Sequence, residues 1–557
     1  MAVFERIDWR FIQSMSRYSK YSVMDVFILN GSFALFDKSS FVWRNTVLKW
    51  NCYFERRMMK ILPTLETVKQ YAQTGQYDVV PVYCEILSDF CTPIEALRVL
   101  KNVSNHCYLL ESAAANEKWG RYTFLGFDPK LVITCSHTQM QIKGALKPGE
   151  SGLGAGEQRT VTTSNPEAEI RKVLSAYRSP KVEGLPSFTG GMVGYFAYDY
   201  MFYSEPTAKR DVEDVEKFND VDLMLFDKVI AFDNFRQKLI LIVNMPLNDV
   251  EAGYAQAEKE LNELVNLLKT GKKWEIPESR VTSPVTALFD KERYCNMVRK
   301  AQKHIYEGDI FQIVLSNCLS MDFEGSLLNA YRYLRTINPS PYMFYLSGTD
   351  VEIAGASPET LVKLQDGVLY TFPLAGTRPR GKTDEEDKLL EEQLLADEKE
   401  LAEHNMLVDL GRNDLGKISK FGTVEVEKLH SIERYSHVMH IGSTVRGEIQ
   451  DQYDALDAIG AVLPAGTLSG APKIRACQLI GELEQSKRGI YGGAIGYIDF
   501  TGSMDVCISI RIAYKKNGKA FVRSGAGIVA DSVPEKEYQE CVNKAAAIVD
   551  ALNNCNL

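Results

Sequence analysis

Short runs of branched and aromatic residues alternate with amphipathic stretches from about Val68 to Leu268, and the alternation resumes after Asp290. That interleaving constrains the fold most. Runs of period two and of period near 3.6 must bury their apolar faces on one another, so a layered α+β or mixed α/β core is expected. Leu131 to Cys135 and Lys238 to Val243 read as strands because branched apolar residues dominate them. Phe311 to Ser316, Tyr342 to Leu346, Tyr491 to Phe500 and Val506 to Ala513 read likewise, and a helix is expected from Asp290 to Gly308. Lys147 to Pro166, rich in Gly, Ser and Pro, reads as a long hairpin loop. Its Gly152–Gly156 stretch follows no buried strand and opens no helix, so it is not read as a nucleotide loop. The polar segment Gly271 to Pro284 places a boundary between an expected region 59–284 and a second, 285–557.

With 557 residues, 45% of them hydrophobic and 25% charged, the chain can bury a large core like any ordinary globular protein. A net charge of −9 disfavours a nucleic-acid partner, which calls for a concentrated basic stripe. Eleven cysteines, an odd number without metal-ligand spacing, read as free thiols in a reducing cytosol. No apolar run reaches the roughly 18 residues of a membrane span. Residues 1–58 are basic and aromatic, and read as a poorly ordered extension, a transit segment or an over-called start upstream of Met58-Met59-Lys60. The transit reading is the weaker, because Glu5, Asp8, Asp25, Asp37 and Glu55 are many acids for one.

Asp384 to Leu410 reads as one long helix with a leucine stripe that includes Leu389 and Leu407, and Gly411 stands where a stop is expected. Glu400 and Glu403 share one face of it, followed by His404. A second helix, Pro534 to about Leu552, repeats the spacing with Glu537 and Glu540 and adds Lys544. Two such pairs suit a divided site for a hard divalent cation. Alone, either pair reads as a solvated helix face, with Glu540 and Lys544 an ion pair of a few tenths of a kcal/mol. The neighbouring motifs reverse that reading.

These motifs are Gly308-Asp309-Ile310-Phe311-Gln312, Asn338-Pro339-Ser340-Pro341-Tyr342-Met343-Phe344 and Ala356-Ser357-Pro358-Glu359. Next come Leu374-Ala375-Gly376-Thr377-Arg378-Pro379-Arg380-Gly381 and Asp409-Leu410-Gly411-Arg412-Asn413-Asp414-Leu415. Gly466-Thr467-Leu468-Ser469-Gly470-Ala471-Pro472-Lys473 and Arg523-Ser524-Gly525-Ala526-Gly527-Ile528 complete the set. Together, over roughly Pro81 to Leu552, they resemble the chorismate-utilising enzymes, specifically the component I subunits of anthranilate synthase.

The resemblance implies an α+β fold with two antiparallel sheets packed in the core and helices outside. It implies that ammonia adds at C2 of chorismate, the C4 hydroxyl departs, and pyruvate is eliminated to leave anthranilate. Mg2+ would be held by Glu403 and Glu540, with Glu400 and Glu537 nearby or bridged by water. By the same resemblance Arg511 would clamp a carboxylate and a Gly525-Ala526-Gly527 turn would offer backbone N–H groups. Tyr491, Thr467, Gly376, Thr377 and Lys544 would line the substrate pocket. Glu359 would be the acid for the departing hydroxyl, and His440, one of a cluster with His430 and His437, would act at the C2 proton.

Two positions separate the relatives. Isochorismate- and salicylate-forming members carry a Lys base where this chain has Gln312, which takes no proton at neutral pH. Aminodeoxychorismate synthases place a nucleophilic Lys where this chain has Ala375, which forms no covalent adduct. The resemblance further implies inhibition by L-tryptophan at a site built from Glu111, Ser112 and Arg121 with Pro341, Tyr342, Met343, Ile495, Gly496 and Tyr497. No glutaminase signature is apparent, so a separate glutamine amidotransferase subunit (component II) is expected to supply ammonia. The alternatives are an aminodeoxychorismate synthase component I, or a catalytically silent effector-binding partner.

Overall fold

The computed structural model describes residues 25–29, 32–36, 60–113, 120–149, 158–208, 212–214, 216–348, 350–434 and 438–555. Gly152–Gly156, His437 and nearly all of 1–58 lie outside the described residues. Within Met1–Lys60, a unit of its own, the strands Asp25–Leu29 and Ser32–Phe36 pair antiparallel. Ile61–Leu557 forms one further compact unit.

Two antiparallel sheets make up this unit. The 14-stranded sheet runs from Arg280–Val281 through Gln312–Glu324, Lys519–Ile528, Ile512–Lys516, Val351–Ser357 and Tyr342–Ser347. It continues through Cys107–Glu111, Tyr122–Phe127, Lys228–Asp233, Lys238–Pro246 and Val79–Leu87 to Ile61–Leu62. The 12-stranded sheet runs from Leu374–Pro379 through Val438–Glu448, Val368–Thr371, Thr360–Gln365, Met504–Ile508 and Ala494–Asp499. Gly191–Phe196, Val221–Phe226, Leu131–Ser136, Gln139–Gly144 and Gln158–Thr162 follow, and Glu425–Arg434, paired with Val438–Glu448, is the twelfth. Strands from either side of residue 284 pair in both sheets, with Met343 opposite Glu111 and Gly194 opposite Gly496. Gly271 to Pro284 is therefore a connection within one body and separates neither sheet.

The facing sides of the sheets share an aromatic core. Tyr108 meets Phe226 edge-on at 4.7 Å between ring centres, and Phe188 lies 4.4 Å from Tyr497. Helices cover the outer faces. Tyr294 and Val298 of Lys291–Tyr306, Leu479 of Lys473–Glu484 and Cys541 of Pro534–Asn553 pack over Leu315 and Ala526 of the larger sheet. Ile170, Leu415 and Ile459, from three other helices, pack with Leu361 and Leu369 of the smaller. Each such buried aliphatic side chain contributes about 1.5–3 kcal/mol.

Three expectations are corrected. The acidic helix is two helices, Asp384–Leu395 and Glu398–Gly416, because Asp397 leaves helical geometry and caps the second, accepting from Lys399 N at 3.2 Å and Glu400 N at 3.3 Å. Leu389 accordingly faces solvent at 53% exposure, and Gly411 lies inside the second helix. Val506 to Ala513 is two strands in different sheets, split at Ser509-Ile510-Arg511. Finally, Gly525-Ala526-Gly527 forms no turn but lies within the strand Lys519–Ile528, opposite Ser316, Leu315 and Val314.

Candidate active site

The chain crosses between sheets twice at one place, once at Pro358-Glu359 and once at Ser509 to Arg511. Ile508 N donates to Glu359 O at 3.0 Å, Ser357 Oγ donates to Ile508 O at 2.7 Å, and Ala356 N donates to Arg511 O at 3.1 Å, lashing the crossings together. Departure of the Ile512–Lys516 strand leaves Lys519–Ile528 paired on that side only as far as Val522. Glu359 and Arg511 lie on the two crossings themselves.

Glu359 sits on the first crossing. Thr467, from the short turn Gly466–Leu468, places its hydroxyl 3.3 Å from both carboxylate oxygens. Burial pushes the Glu359 carboxyl up to about 8, while Thr467 and the Lys544 ammonium pull it partly back. Desolvation dominates, so the group is mostly protonated at neutral pH and can donate a proton.

His440 lies on the strand Val438–Glu448 opposite Thr377. A register shift between Ala375 and Thr377, with Gly376 at φ +71°, turns the Gly376 carbonyl to within 3.0 Å of His440 Nδ1. Glycine is needed there: a Cβ would enter left-handed geometry and lie 3.2 Å from Glu400 Oε2, Leu394 Cδ1 and Ile441 Cδ1. The Thr377 hydroxyl is also 3.0 Å from Nδ1; because the carbonyl only accepts and the hydroxyl can accept, a hydrogen on Nδ1 satisfies both contacts and places the neutral ring's lone pair on Nε2. Burial lowers the ring's proton affinity and Arg511 lowers it further, against the opposing bond from Gly376. A neutral imidazole of fixed tautomer is suited to accept a proton.

Glu403 and Glu537, from different helices, feel the same two lysines. Burial raises the Glu403 carboxyl, Glu400 adds to this, and Gln312 Nε2 opposes it with a bond of 3.4 Å to Oε1. The Glu537 carboxyl is likewise raised, first by burial, with Glu540 contributing. Lys399 of one helix and Lys544 of the other pull down both Glu403 and Glu537. Lys544 Nζ meets Glu540 Oε1 at 2.6 Å and Gly525 O at 3.2 Å, whereas Glu400 faces Arg378 at 3.5 Å. Glu403 and Glu537 are half-buried and oppose their own ionisation, Glu540 is exposed and paired with Lys544, and the hard oxygens of such carboxylates are of the kind that suits Mg2+. Among the described residues the one set of three candidate ligand atoms within 4.8 Å of one another is His304, Glu307 and Asp309. No three of the four glutamates bring their oxygens within that distance of one another.

Arg511 has left-handed backbone geometry, φ +54°, at the second crossing. Such geometry costs a residue with a Cβ on the order of 1 kcal/mol. Among the described residues its guanidinium has no ion-pair partner, and its single hydrogen-bond acceptor is Lys544 O at 3.4 Å. Burial lowers its proton affinity, while Tyr491 and Glu540 act to hold the charge. Gly525 and Gly527 allow close approach: a Cβ on Gly525 would be 2.7 Å from Leu315 O and 3.0 Å from Tyr491 Oη, and one on Gly527 2.9 Å from Gln312 Nε2.

The expected effector residues divide. Met343 and Glu111 are opposed on one sheet, and Ile495, Gly496 and Tyr497 lie on the other. Tyr342 spans the sheets, its hydroxyl 2.7 Å from Thr360 Oγ1 and 2.8 Å from Asp505 Oδ1, while Ser112 and Pro341 adjoin the bond from Ala113 N to Ser340 O. Two members are already engaged. Glu111 pairs with Arg335 at 2.5 Å and accepts from Tyr331 Oη. Arg121 forks onto Asp233 at 2.6 and 3.0 Å, which holds the Asp233 carboxyl low against its burial. The cation expected to meet an effector carboxylate is thus committed to a neighbouring hairpin.

The sequence reading missed Arg378, whose fork joins Asp397 at 2.8 Å and reaches Glu400, and the buried pair Arg488 and Glu484. For Arg378 the signal lay in the capping acid at Asp397; for Arg488 the spacing of four from Glu484 was available.

A carboxyl held toward its protonated form, a histidine held toward neutrality and an arginine with no ion-pair partner among the described residues are groups able to move protons and bind an anion. The chain belongs to the chorismate binding enzymes, whose family pattern matches residues 105–550. It is similar to anthranilate synthase component 1 of Acetivibrio thermocellus, 45% identical over 500 residues, covering 88% of this chain and 98% of that relative. The same protein of Aquifex aeolicus is 44% identical over 507 residues, covering 89% and 98%. The crystal structure of anthranilate synthase component I from Streptococcus pneumoniae TIGR4 superposes with a TM-score of 0.67 at 36% identity, covering 77% of this chain and 92% of that one. The expected family, fold class and large-subunit function hold. No helix among the described residues is long and apolar enough to cross a membrane.

Proposed function

We propose that this chain converts chorismate and ammonia to anthranilate, pyruvate and water, the first committed step toward tryptophan. The observation that carries the reading is Arg511, a deeply set guanidinium with no ion-pair partner among the described residues, beside Tyr491 and near His440. Its planar fork fits one carboxylate of the substrate. Glu403 and Glu540 would hold Mg2+, with Glu400 and Glu537 nearby; the ion would supply Lewis-acid polarisation and orientation of the ring carboxylate.

The chain's own groups account for the proton movements. Glu359 gives its proton to the departing C4 hydroxyl, which leaves as water while ammonia forms the bond at C2. The added ammonium gives up a proton, which restores Glu359; His440 Nε2 then takes the C2 proton as the C3–O bond breaks and the ring becomes aromatic, and the departing enolpyruvate takes up that proton to become pyruvate. Thr467 orients Glu359, and Lys544 offsets the site's negative charge. Ala375, on the strand opposite Ile441, presents no amine for covalent catalysis, and Gln312 offers no base for activating water.

The relatives' designation as component 1 supports a second component, a glutamine amidotransferase, as the ammonia source. L-tryptophan would bind between the sheets at Ser112, Pro341 to Met343 and Ile495 to Tyr497, with Glu111 and Arg121 as bonded supports of that region. The proteins concerned would be cytoplasmic. Incubation of the purified chain with chorismate, Mg2+ and ammonium should produce anthranilate fluorescence without any partner. Accumulation of aminodeoxychorismate or isochorismate instead would refute the assignment.

A further inference from the structure

Arg488 is 1% exposed and lies between the helix Lys473–Glu484 and the strand Ala494–Asp499. Its Nη1 donates to Leu468 O at 2.6 Å, its Nη2 to Val314 O at 2.7 Å and Glu484 Oε1 at 2.6 Å, and its Nε to Glu484 Oε2 at 3.0 Å. Glu484, also about 1% exposed, accepts in addition from Ser316 N at 2.7 Å and Ser316 Oγ at 3.1 Å. The guanidinium lies 4.8 Å from the Tyr198 ring and 6.0 Å from that of Tyr491.

Its two backbone acceptors matter because of what they carry. Leu468 ends the turn whose Thr467 hydroxyl holds both oxygens of Glu359. Val314 stands two residues beyond Gln312 and opposite Gly527. One planar cation therefore bridges the turn that orients the acid and the strand that carries Gln312, beside the backbone bond from Val314 N to Ser469 O at 2.8 Å and with Arg523 3.6 Å from Glu484 Oε2. A buried ion pair is weak as a source of stability, since apolar residues of equal volume often serve as well. A fixed fork, however, holds two carbonyls and a carboxylate in one plane, which a single ammonium cannot do.

We propose that Arg488, oriented by Glu484, is a positioning residue for catalysis: it fixes the Thr467 turn and through it the geometry of the Glu359 acid. This rests on the reading of Glu359 as proton donor to the leaving hydroxyl. The test is the alkaline limb of kcat, where turnover falls as Glu359 loses its proton, measured with ammonium for Thr467→Val, Arg488→Lys and the double variant.

Thr467→Val removes a donor that favours the ionised carboxylate, so its limb should move to higher pH. Arg488→Lys should move the limb in the same direction and lower kcat on the order of 10–100-fold, with KM for chorismate nearly unchanged. The double variant should show no further displacement. A wild-type limb in Arg488→Lys, or displacements that add in the double variant, would overturn the inference. Should Arg488→Lys fail to fold, Glu484→Gln keeps the side-chain shape while weakening the fork; a smaller displacement of the same sign supports positioning, and an unmoved limb refutes it. If Thr467→Val itself leaves the limb in place, the Glu359 assignment fails, and the inference with it.

Discussion

Replacing Glu359 by Gln tests the proton donor directly. With its carboxyl near 8, the group is about nine-tenths protonated at pH 7 and about one-tenth at pH 9. Turnover limited by that proton should therefore fall roughly tenfold for each pH unit above 8. Glutamine keeps the shape but donates no proton of comparable acidity, so Glu359→Gln should lose roughly 10²–10⁴-fold in kcat and lose this alkaline limb as well.

Stability should move the other way. The folded state binds this proton more tightly than the unfolded chain does. Its stabilising contribution is therefore complete below the ordinary 4.5 and disappears as the pH climbs through about 8. At about 1.4 kcal/mol per pH unit the interval corresponds to an upper bound of roughly 5 kcal/mol for holding the ionised carboxylate in the fold. Glu359→Gln should be near neutral to folding at low pH and stabilising above pH 8. The assays are anthranilate fluorescence with ammonium as nitrogen source and urea unfolding on both sides of pH 8. Turnover within tenfold of wild type, or the same stability difference at both pH values, would refute the reasoning.

Arg511→Gln should raise KM for chorismate about 10–100-fold through loss of a charge-assisted bond of roughly 1.5–3 kcal/mol; unchanged KM in steady-state kinetics would move the carboxylate clamp elsewhere. Gly376→Ala places a Cβ at positive φ against Glu400 and Leu394, so it should cost about 1–2 kcal/mol in urea unfolding. Because His440 must be neutral to take the C2 proton, the acid limb of kcat should also shift, and an unaltered limb would count against the Gly376 carbonyl as the acceptor from Nδ1. Ser112→Leu should weaken L-tryptophan binding in calorimetry, and equal affinities would exclude Ser112 from the effector site.

Much of the layered core was legible locally. Leu131 to Cys135 and Lys238 to Val243 carry their strand signal in branched side chains, and Asp290 announces its helix as a capping acid that accepts from Arg293 N at 2.8 Å. Partnership across the chain was not legible. The pairing of Gly191–Phe196 with Ala494–Asp499 depends on contacts some three hundred residues apart, which no local period reports. The break at Ala396-Asp397 was hidden because the leucine pattern continues through it, although Asp is a strong cap. The expectation that Arg511 clamps a carboxylate rested on resemblance alone; its left-handed φ at a sheet crossing accompanies the break that makes two strands of a run that reads as one. The pairing of Arg121 was not legible either: a basic residue near a motif carries no sign of the buried Asp233 it binds.

The most direct measurement is Mn2+ binding, followed by electron paramagnetic resonance with chorismate present, for wild type, Glu403→Gln and Glu540→Gln. The account predicts that each substitution weakens the ion by about tenfold or more and abolishes Mg2+-dependent turnover, because one carboxylate comes from each of two helices distant in sequence. Wild-type affinity and turnover in either variant would contradict it.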